Sequence, residues 1–187
     1  MTQTVWPGSD KSGISPGECS NLGRMGTLVL MRHAKSDYPA GVPDHERPLA
    51  ARGRREAALA GDWLRTNAPT IKAVLCSSAT RTRQTLERTG LEAPVNFLDA
   101  LYGAAPGTML AEINRVDDAV TTLLVVGHEP TMSEVALGLA GPGSDRDAAE
   151  QIYLKYPTSG IAVLQVPGPW AGLELSGAEL IAFHVPR

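Results

Sequence analysis

The amino-acid sequence predicts an α/β fold, a three-layer α/β/α sandwich with a mostly parallel central sheet and helices on both faces. Two observations lead to this class. From Thr27 onward, short apolar segments of strand length alternate with longer segments of helical periodicity. In addition, residues 28–31 and 123–126 are continuous apolar runs, which are typical of parallel strands buried on both faces. The length of 187 residues suits a single domain.

Each predicted strand is an apolar run that ends at polar or turn-forming residues. The first leads into a long polar loop with several prolines, and the fourth, which is the clearest, stops at Gly127. A region rich in Pro and Gly joins the last two strands, which we expect to form an antiparallel hairpin. The predicted strands lie at residues 27–32, 73–76, 95–98, 121–126, 160–166 and 179–185.

The segments between the strands carry helical signals. Apolar residues within 57–64 supply an inner face for the first helix, and Gly141 closes the last one. Ser77-Ser78 is interpreted as the N-cap of the second helix. The stretch that follows Gly141 and precedes the fifth strand is interpreted as irregular. The predicted helices lie at residues 51–66, 81–88, 107–116 and 131–139.

Composition narrows the possible partners and the location. A net charge of −3 argues against broad binding to nucleic acid or to anionic membranes, so we expect neither partner. No apolar run approaches the length of a membrane span, and the N-terminus lacks the pattern of a secretory signal. We therefore expect a cytoplasmic protein. Residues 1–24 are rich in Gly, Ser and Pro and are predicted to form a disordered extension, followed by one domain over residues 25–187.

Polar residues of complementary type follow three of the predicted strands. Arg32-His33 ends the first strand, Arg81 lies one turn into the helix after the second, and His128-Glu129 follows the fourth. The carboxyl ends of parallel strands meet at one sheet edge, where α/β proteins bind their ligands. Two arginines and two histidines there predict an anion site, with phosphate as the expected ligand and a histidine as nucleophile or base. The sequence contains no phosphate-binding loop of the nucleotide type and no metal-ligand spacing, so we predict no cofactor and no metal.

At these positions the sequence resembles the histidine phosphatase superfamily, the phosphoglycerate-mutase-like proteins. Ala34 stands where Gly is common in that family. The small size, the Arg-Pro-Leu element and residues 157–160 resemble the short SixA-like branch, which consists of phosphohistidine phosphatases. The resemblance covers the domain from about Thr27 onward and is carried by Arg32-His33-Ala34-Lys35-Ser36, Arg47-Pro48-Leu49, Arg52-Gly53-Arg54, residues 77–85 and Val126-Gly127-His128-Glu129-Pro130.

The resemblance implies a role for each member of the quartet. His33 would be the nucleophile and form a phosphohistidine intermediate, which water then hydrolyses. Arg32 and Arg81 would bind phosphate oxygens, and His128 would complete the clamp. Attack by His33 requires one unprotonated ring nitrogen, so the other nitrogen should donate to a backbone carbonyl. Substrate contacts are expected from three residues near the mouth, Ser36, Arg47 and Glu129.

The general acid is the open role. In larger members of the family a Glu lies three residues before a Tyr-Gly pair, and Asp99 stands in that relation to Tyr102-Gly103. Asp99 is therefore the first candidate, with a turn or cap residue as the alternative interpretation. Other candidates are Asp44, Glu46 and Glu129.

These features predict a metal-independent phosphatase that acts through phospho-His33, with phosphohistidine in a protein as its first expected substrate. A small phosphate ester or a nucleotide is the alternative substrate. A phosphomutase is a weaker hypothesis, because it needs a closed pocket that shields its phosphorylated intermediate from water. A binding module without catalysis would keep the arginines but has no need of His33. No oligomeric state is predicted.

Overall fold

The computed structural model describes Gly23 and residues 25–187. Apart from Gly23, the predicted disordered extension lies outside the described residues. The described part contains a six-stranded sheet with the strand order β3-β2-β4-β1-β5-β6. The strands are β1 (Met25–Arg32), β2 (Ala73–Ser77), β3 (Val95–Leu98), β4 (Thr122–Gly127), β5 (Ile161–Pro167) and β6 (Glu179–His184).

The pairing of the strands confirms the predicted sheet. Strands β1 to β4 run parallel to one another. Strand β5 is antiparallel to β1, and β6 is antiparallel to β5, as expected for a terminal hairpin. Strand β1 therefore lies inside the sheet, between β4 and β5, and its residues Leu28 to Met31 are fully buried.

Helices cover both faces of the sheet, which confirms the three-layer sandwich. Alternate residues of β1 point to opposite faces of the sheet. Val29 and Met31 pack in one core cluster with helix residues such as Ala60 and Leu86. A second core cluster joins the opposite faces of the strands to the remaining helices. The helices are α1 (Ala51–Asn67) and α2 (Thr80–Thr89) on the first face, and α3 (Pro106–Ile113), α4 (Thr131–Leu139) and α5 (Arg146–Leu154) on the second.

Helix α5 lies in the stretch after Gly141 that the sequence predicts to be irregular, and that prediction is wrong. Asp145 caps the helix, because its Oδ1 accepts a hydrogen bond from the amide of Ala148 (3.0 Å). Ile152 packs into the core, whereas Tyr153 and Leu154 at the end of the helix are exposed. These two exposed apolar residues obscure the helical periodicity on which the prediction depended.

Helix α1 approaches the loop after β1 without a side chain between them. A Cβ atom added to Gly53 would lie far inside van der Waals contact with the carbonyl oxygen of Lys35. The Ala50 amide, at the start of the same helix, donates a hydrogen bond to that oxygen (2.9 Å). The first turn of α1 therefore holds the backbone two residues beyond His33. In the part of the chain that the structure describes, no helix is long and apolar enough to span a membrane.

Candidate active site

The site lies at the carboxyl ends of β1, β2 and β4, which are neighbours in the sheet. Arg32 is aligned with Gly127 across β1 and β4, so the residues that follow them meet. The rings of His33 and His128 lie 5.2 Å apart between centroids, and both side chains are buried together with Arg81. The structure thus brings the predicted quartet of Arg32, His33, Arg81 and His128 to one place.

His33 is held in one orientation by the backbone. Its Nδ1–H donates to the carbonyl oxygen of Ala34 (2.7 Å), which leaves Nε2 with an unshared electron pair. Burial lowers the pKa of His33 to about 3, and the positive charges of Arg81 and Arg32 and the ring of His128 act in the same direction. The ring is therefore neutral at physiological pH, which is the form that a nucleophile requires.

Thr85 of α2 positions the segment that carries His33. Its Oγ1 accepts a hydrogen bond from the Ala34 amide (2.9 Å) and donates one to the carbonyl oxygen of Arg81 (2.6 Å). This hydroxyl is fully buried, so water does not compete with either bond. Thr85 therefore fixes the distance between the loop that follows β1 and the helix that carries Arg81.

Arg32 is partly anchored, and its buried Nε donor is unused. Its Nη1 donates to the carbonyl oxygen of Tyr156 (2.6 Å), while its Nε is buried without a partner among the described residues. The Tyr156 hydroxyl in turn donates to Leu30 O (2.7 Å) and accepts from the Ala162 amide (3.0 Å). An unused, buried cationic donor beside a neutral histidine is suited to an anionic oxygen.

The Arg81 side chain forms hydrogen bonds with Asp44, in the loop between β1 and α1. Its Nη1 donates to the backbone oxygen of Asp44 (2.6 Å), and its Nη2 lies 3.1 Å from Asp44 Oδ2. The same carboxylate accepts from the Tyr102 hydroxyl (2.7 Å) and from Arg47 Nη1 (2.6 Å). These hydrogen bonds, that of Tyr102 foremost and then that of Arg47, lower the pKa of Asp44 to about 2. The carboxylate is therefore ionised at the edge of the quartet.

His128 is oriented by Ser77, the last residue of β2. Its Nε2 lies 2.8 Å from Ser77 Oγ, and its Nδ1 is buried without a partner among the described residues. Burial lowers the pKa of His128 to about 4, with a further contribution from the charge of Arg81. The interpretation of Ser77 as a helix cap is wrong: the N-cap position of α2 is Ala79, and the Ser77 hydroxyl contacts His128 instead of an amide of the helix.

Asp99 is not brought to the quartet. It begins a short 3-10 turn after β3, its side chain is exposed, and its backbone oxygen accepts from the Tyr102 amide (2.9 Å). The physical reason is that β3 is the edge strand, one position farther from His33 than β2. The residue of this segment that reaches the site is Tyr102, through its bond to Asp44 and its ring, which lies 5.6 Å from that of His128.

The three predicted substrate contacts surround the site, but their polar atoms have partners within the protein. Arg47 donates to Ser36 Oγ (2.7 Å) and to the Asp37 carbonyl oxygen (2.9 Å), in addition to its bond with Asp44. These bonds fold the loop over residues 36–49. Glu129 is half-buried, and its carboxylate accepts from the amide and the hydroxyl of Ser133. Burial raises the pKa of Glu129.

Sequence reasoning missed four contributors to this site: Asp44 as the partner of Arg81, Ser77 as the partner of His128, and the contacts of Tyr102 and His45. His45 Nε2 lies 3.0 Å from Ser78 Oγ, and its ring packs edge-on against Tyr102. The neighbouring Arg-Pro-Leu element was the only sequence signal close to Asp44 and His45. Within residues 25–187, no group of three or more His, Cys, Asp or Glu side chains is arranged to hold a metal ion. What the site presents is a set of cationic and neutral donors suited to a phosphoryl group.

Comparison with known proteins agrees with this chemistry. The family model of the histidine phosphatase superfamily (branch 1) matches residues 28–109. An uncharacterized protein of Mycobacterium tuberculosis is 63% identical over 158 residues, which are 84% of this chain and 100% of that protein.

Two solved structures share the fold over most of their length. A SixA protein of Nakamurella multipartitia is 40% identical to this chain and has a TM-score of 0.80. The matched region covers 87% of this chain and 96% of that protein. The protein histidine phosphatase SixA, solved in complex with tungstate, is 25% identical with a TM-score of 0.69, covering 86% of this chain and 97% of its own. With the sequence motifs, the sheet and these relatives in agreement, this chain is a phosphatase and belongs to the histidine phosphatase superfamily.

Proposed function

We propose that the chain is a metal-independent phosphatase that removes the phosphoryl group from phosphohistidine in a protein, through a phosphorylated His33. The observation that carries this proposal is the hydrogen bond from His33 Nδ1 to the Ala34 carbonyl oxygen. It leaves Nε2 as the nucleophilic atom, next to two arginines and a second histidine.

The proposed reaction has two displacements at phosphorus. In the first, His33 Nε2 forms a bond to phosphorus while the bond to the leaving group breaks, and the leaving group keeps that electron pair. In the second, water forms a P–O bond while the P–Nε2 bond breaks and its electron pair returns to Nε2. Phosphate then departs, and the protons of that water leave with it or pass to solvent. Arg32, Arg81 and His128 would hold the phosphoryl oxygens during both steps, because fixed donors stabilise the charge that develops there.

The exposure of the mouth supports a protein as substrate. The Asp44 side chain is 54% exposed and Tyr102 is 37% exposed, so the rim beside the quartet is open to solvent. The related SixA named as a protein histidine phosphatase binds tungstate, a tetrahedral oxyanion of the shape of phosphate. A short loop, residues 36–49, is the segment that borders the site from the β1 side.

The proposal is tested with two substrates, a phosphohistidine-carrying phosphotransfer protein and p-nitrophenyl phosphate, each with and without a chelator. We expect turnover that resists the chelator and is abolished in His33→Ala. His184→Ala is the matched control, because that histidine stacks on Trp63 away from the site. Mass spectrometry under alkaline conditions should detect the acid-labile phosphoryl group on His33. Turnover that persists in His33→Ala would refute the mechanism.

The choice of substrate is tested separately by comparing specificity constants. We expect the phosphohistidine protein to exceed a panel of phosphorylated metabolites and nucleotides in kcat/KM. If a small phosphate ester were preferred by orders of magnitude, the chain would act on metabolites, with the same nucleophile and the same clamp.

A further inference from the structure

The side chain of Asp44 contacts Arg81 and is open to solvent. Arg81 has five N–H donors and uses one Nη1 and one Nη2 donor on Asp44, which leaves others for phosphoryl oxygens. The Arg81 side chain is buried, whereas the Asp44 side chain is 54% exposed. A phosphoryl group held by Arg81 against His33 therefore has the Asp44 carboxylate beside it, toward solvent.

The carboxylate is fixed in place and keeps capacity to accept another hydrogen bond. Oδ2 accepts from Tyr102 and Arg81, while Oδ1 accepts from Arg47 alone. A carboxylate oxygen has two lone pairs, so Oδ1 retains an acceptor position. Its surroundings keep Asp44 ionised, with a pKa lowered to about 2, chiefly by the bonds from Tyr102 and Arg47. Asp44 thus accepts hydrogen bonds at neutral pH and has no proton to donate.

An acceptor without a proton discriminates between classes of leaving group. When a phosphorylated imidazole is protonated on its unsubstituted nitrogen, the ring is cationic. Attack by His33 Nε2 breaks the P–N bond, the electron pair returns to the ring nitrogen, and neutral imidazole departs with its proton still on the other nitrogen. That N–H is a charge-assisted donor to a carboxylate. The oxygen of a phosphate ester instead departs with negative charge, which an ionised carboxylate repels.

We infer that Asp44 determines specificity in this enzyme: its carboxylate accepts an N–H hydrogen bond from the cationic ring of a phosphoimidazole leaving group and disfavours leaving groups that carry negative charge. The inference rests on the proposed function and deepens it, since it assigns the preference for phosphohistidine to one residue. The inference also bears on the unassigned general acid: a phosphoimidazole that is already protonated leaves as neutral imidazole, so its cleavage needs no general acid.

The test compares two small substrates in the wild-type enzyme and in Asp44→Asn, namely phosphoimidazole and p-nitrophenyl phosphate. The measured quantity is the ratio of their kcat/KM values. Losing a charge-assisted hydrogen bond should lower this ratio roughly tenfold or more in Asp44→Asn. Both rates come from one preparation, so a smaller folded fraction lowers both and cancels in the ratio.

Two further variants separate this role from a structural one. Asp44→Glu keeps the negative charge and should recover part of the ratio. Asp37→Asn removes another carboxylate of the same loop, one whose side chain bonds to the Tyr38 amide, and should keep the wild-type ratio. If Asp44 only held Arg81 in place, Asp44→Asn would slow both substrates equally, and that outcome would overturn the inference.

The outcomes also separate this inference from the proposed function. An unchanged ratio in Asp44→Asn, with His33-dependent turnover of phosphoimidazole in the wild type, removes the role of Asp44 and leaves the proposed function standing. A wild-type enzyme that cleaves the aryl phosphate through His33 but not phosphoimidazole contradicts both the phosphohistidine substrate and the role of Asp44.

Discussion

The Oγ1 atom of Thr85 lies 2.9 Å from the amide nitrogen of Ala34, the residue after the proposed nucleophile His33. The same hydroxyl donates to the carbonyl oxygen of Arg81, so a single buried side chain holds two parts of the candidate site at a fixed spacing. Phosphoryl transfer depends on positioning, and small displacements of the reacting groups lower its rate strongly. Thr85 is therefore a positioning residue.

Replacing Thr85 with Val keeps the shape of the side chain and leaves the Ala34 amide without its acceptor. We expect a loss of about 1–3 kcal/mol in the free energy of unfolding, because that amide is buried. We also expect kcat to fall more than KM rises. Urea denaturation and steady-state kinetics with p-nitrophenyl phosphate measure the two effects.

Thr89→Val is the matched control for Thr85→Val. Thr89 lies one helical turn farther along α2, is equally buried, and donates to the Leu86 carbonyl oxygen instead of contacting the active-site loop. It should lower stability and leave kcat of the folded enzyme near the wild-type value. Equal kcat losses in both variants would show that Thr85 has no positioning role.

The stability of the protein should depend on pH through its two buried histidines. The pKa of His33 is lowered to about 3 and that of His128 to about 4, each mainly by burial, against an ordinary value of 6.5. At a pH between each lowered pKa and 6.5, the histidine is protonated in the unfolded chain and neutral in the folded one, so the unfolded chain binds more protons. Stability is therefore fully present above pH 6.5 and falls on acidification, by up to about 1.4 kcal/mol per pH unit for each histidine.

Urea denaturation at several pH values between 7 and 5 measures this dependence. Over most of that range Asp44 is ionised in both the folded and the unfolded protein, so it contributes little to the slope. The double variant His33→Gln, His128→Gln should show a smaller slope of the unfolding free energy against pH. A slope as steep as that of the wild type would assign the acid sensitivity to other groups.

Tyr156→Phe should separate stability from activity. The hydroxyl that it removes bonds to Leu30 O and to the Ala162 amide, both buried in the sheet. We expect unfolding to become easier by about 1–3 kcal/mol. Arg32 bonds to the backbone oxygen of this residue, which the change leaves in place, so kcat should persist in the folded protein. Tyr153→Phe, at an exposed position of α5, should be neutral in both measurements.

Gly53→Ala should destabilise the protein, because the added methyl group meets the backbone of Lys35. Backbone atoms cannot turn aside as a flexible side chain can, so we expect a cost of roughly 1–3 kcal/mol or more and a displaced active-site loop. In Gly107→Ala, on helix α3, the methyl group enters open space and should stabilise by about 0.5–1 kcal/mol. Thermal unfolding of both variants tests this prediction: the unfolding temperature should fall in Gly53→Ala and rise in Gly107→Ala. Changes of the same sign in the two variants would contradict it.

Much of the fold and the quartet followed from the sequence because both depend on local patterns. Apolar runs mark the strands, and the residues at their ends meet once the strands are parallel. Asp44 was only one of several acid candidates, because its contact with Arg81 joins residues 37 positions apart through a loop without periodicity. Ser77 was misinterpreted for a related reason: a serine near a helix start has the same local signal whether it caps the helix or orients a histidine.

The acid candidate shows the limit of spacing arguments. Asp99 has the expected position relative to Tyr102, yet the turn after β3 directs the tyrosine, and not the carboxylate, toward the site. Spacing along the chain fixes which residues are neighbours in a turn. Which of them faces the site depends on the strand order, and β3 lies at the sheet edge.

Because β1 lies in the centre of the sheet, the site has two parts that differ in how well they tolerate substitution. His33 follows a strand flanked by β4 and β5, and its amide bonds to Gly127 O, so any shift of His33 would disturb the middle of the domain. Asp44 lies on an exposed loop, where substitutions are tolerated far better. We therefore expect substrate preference to change through exchanges of residues in this loop, while the quartet at the strand ends stays the same.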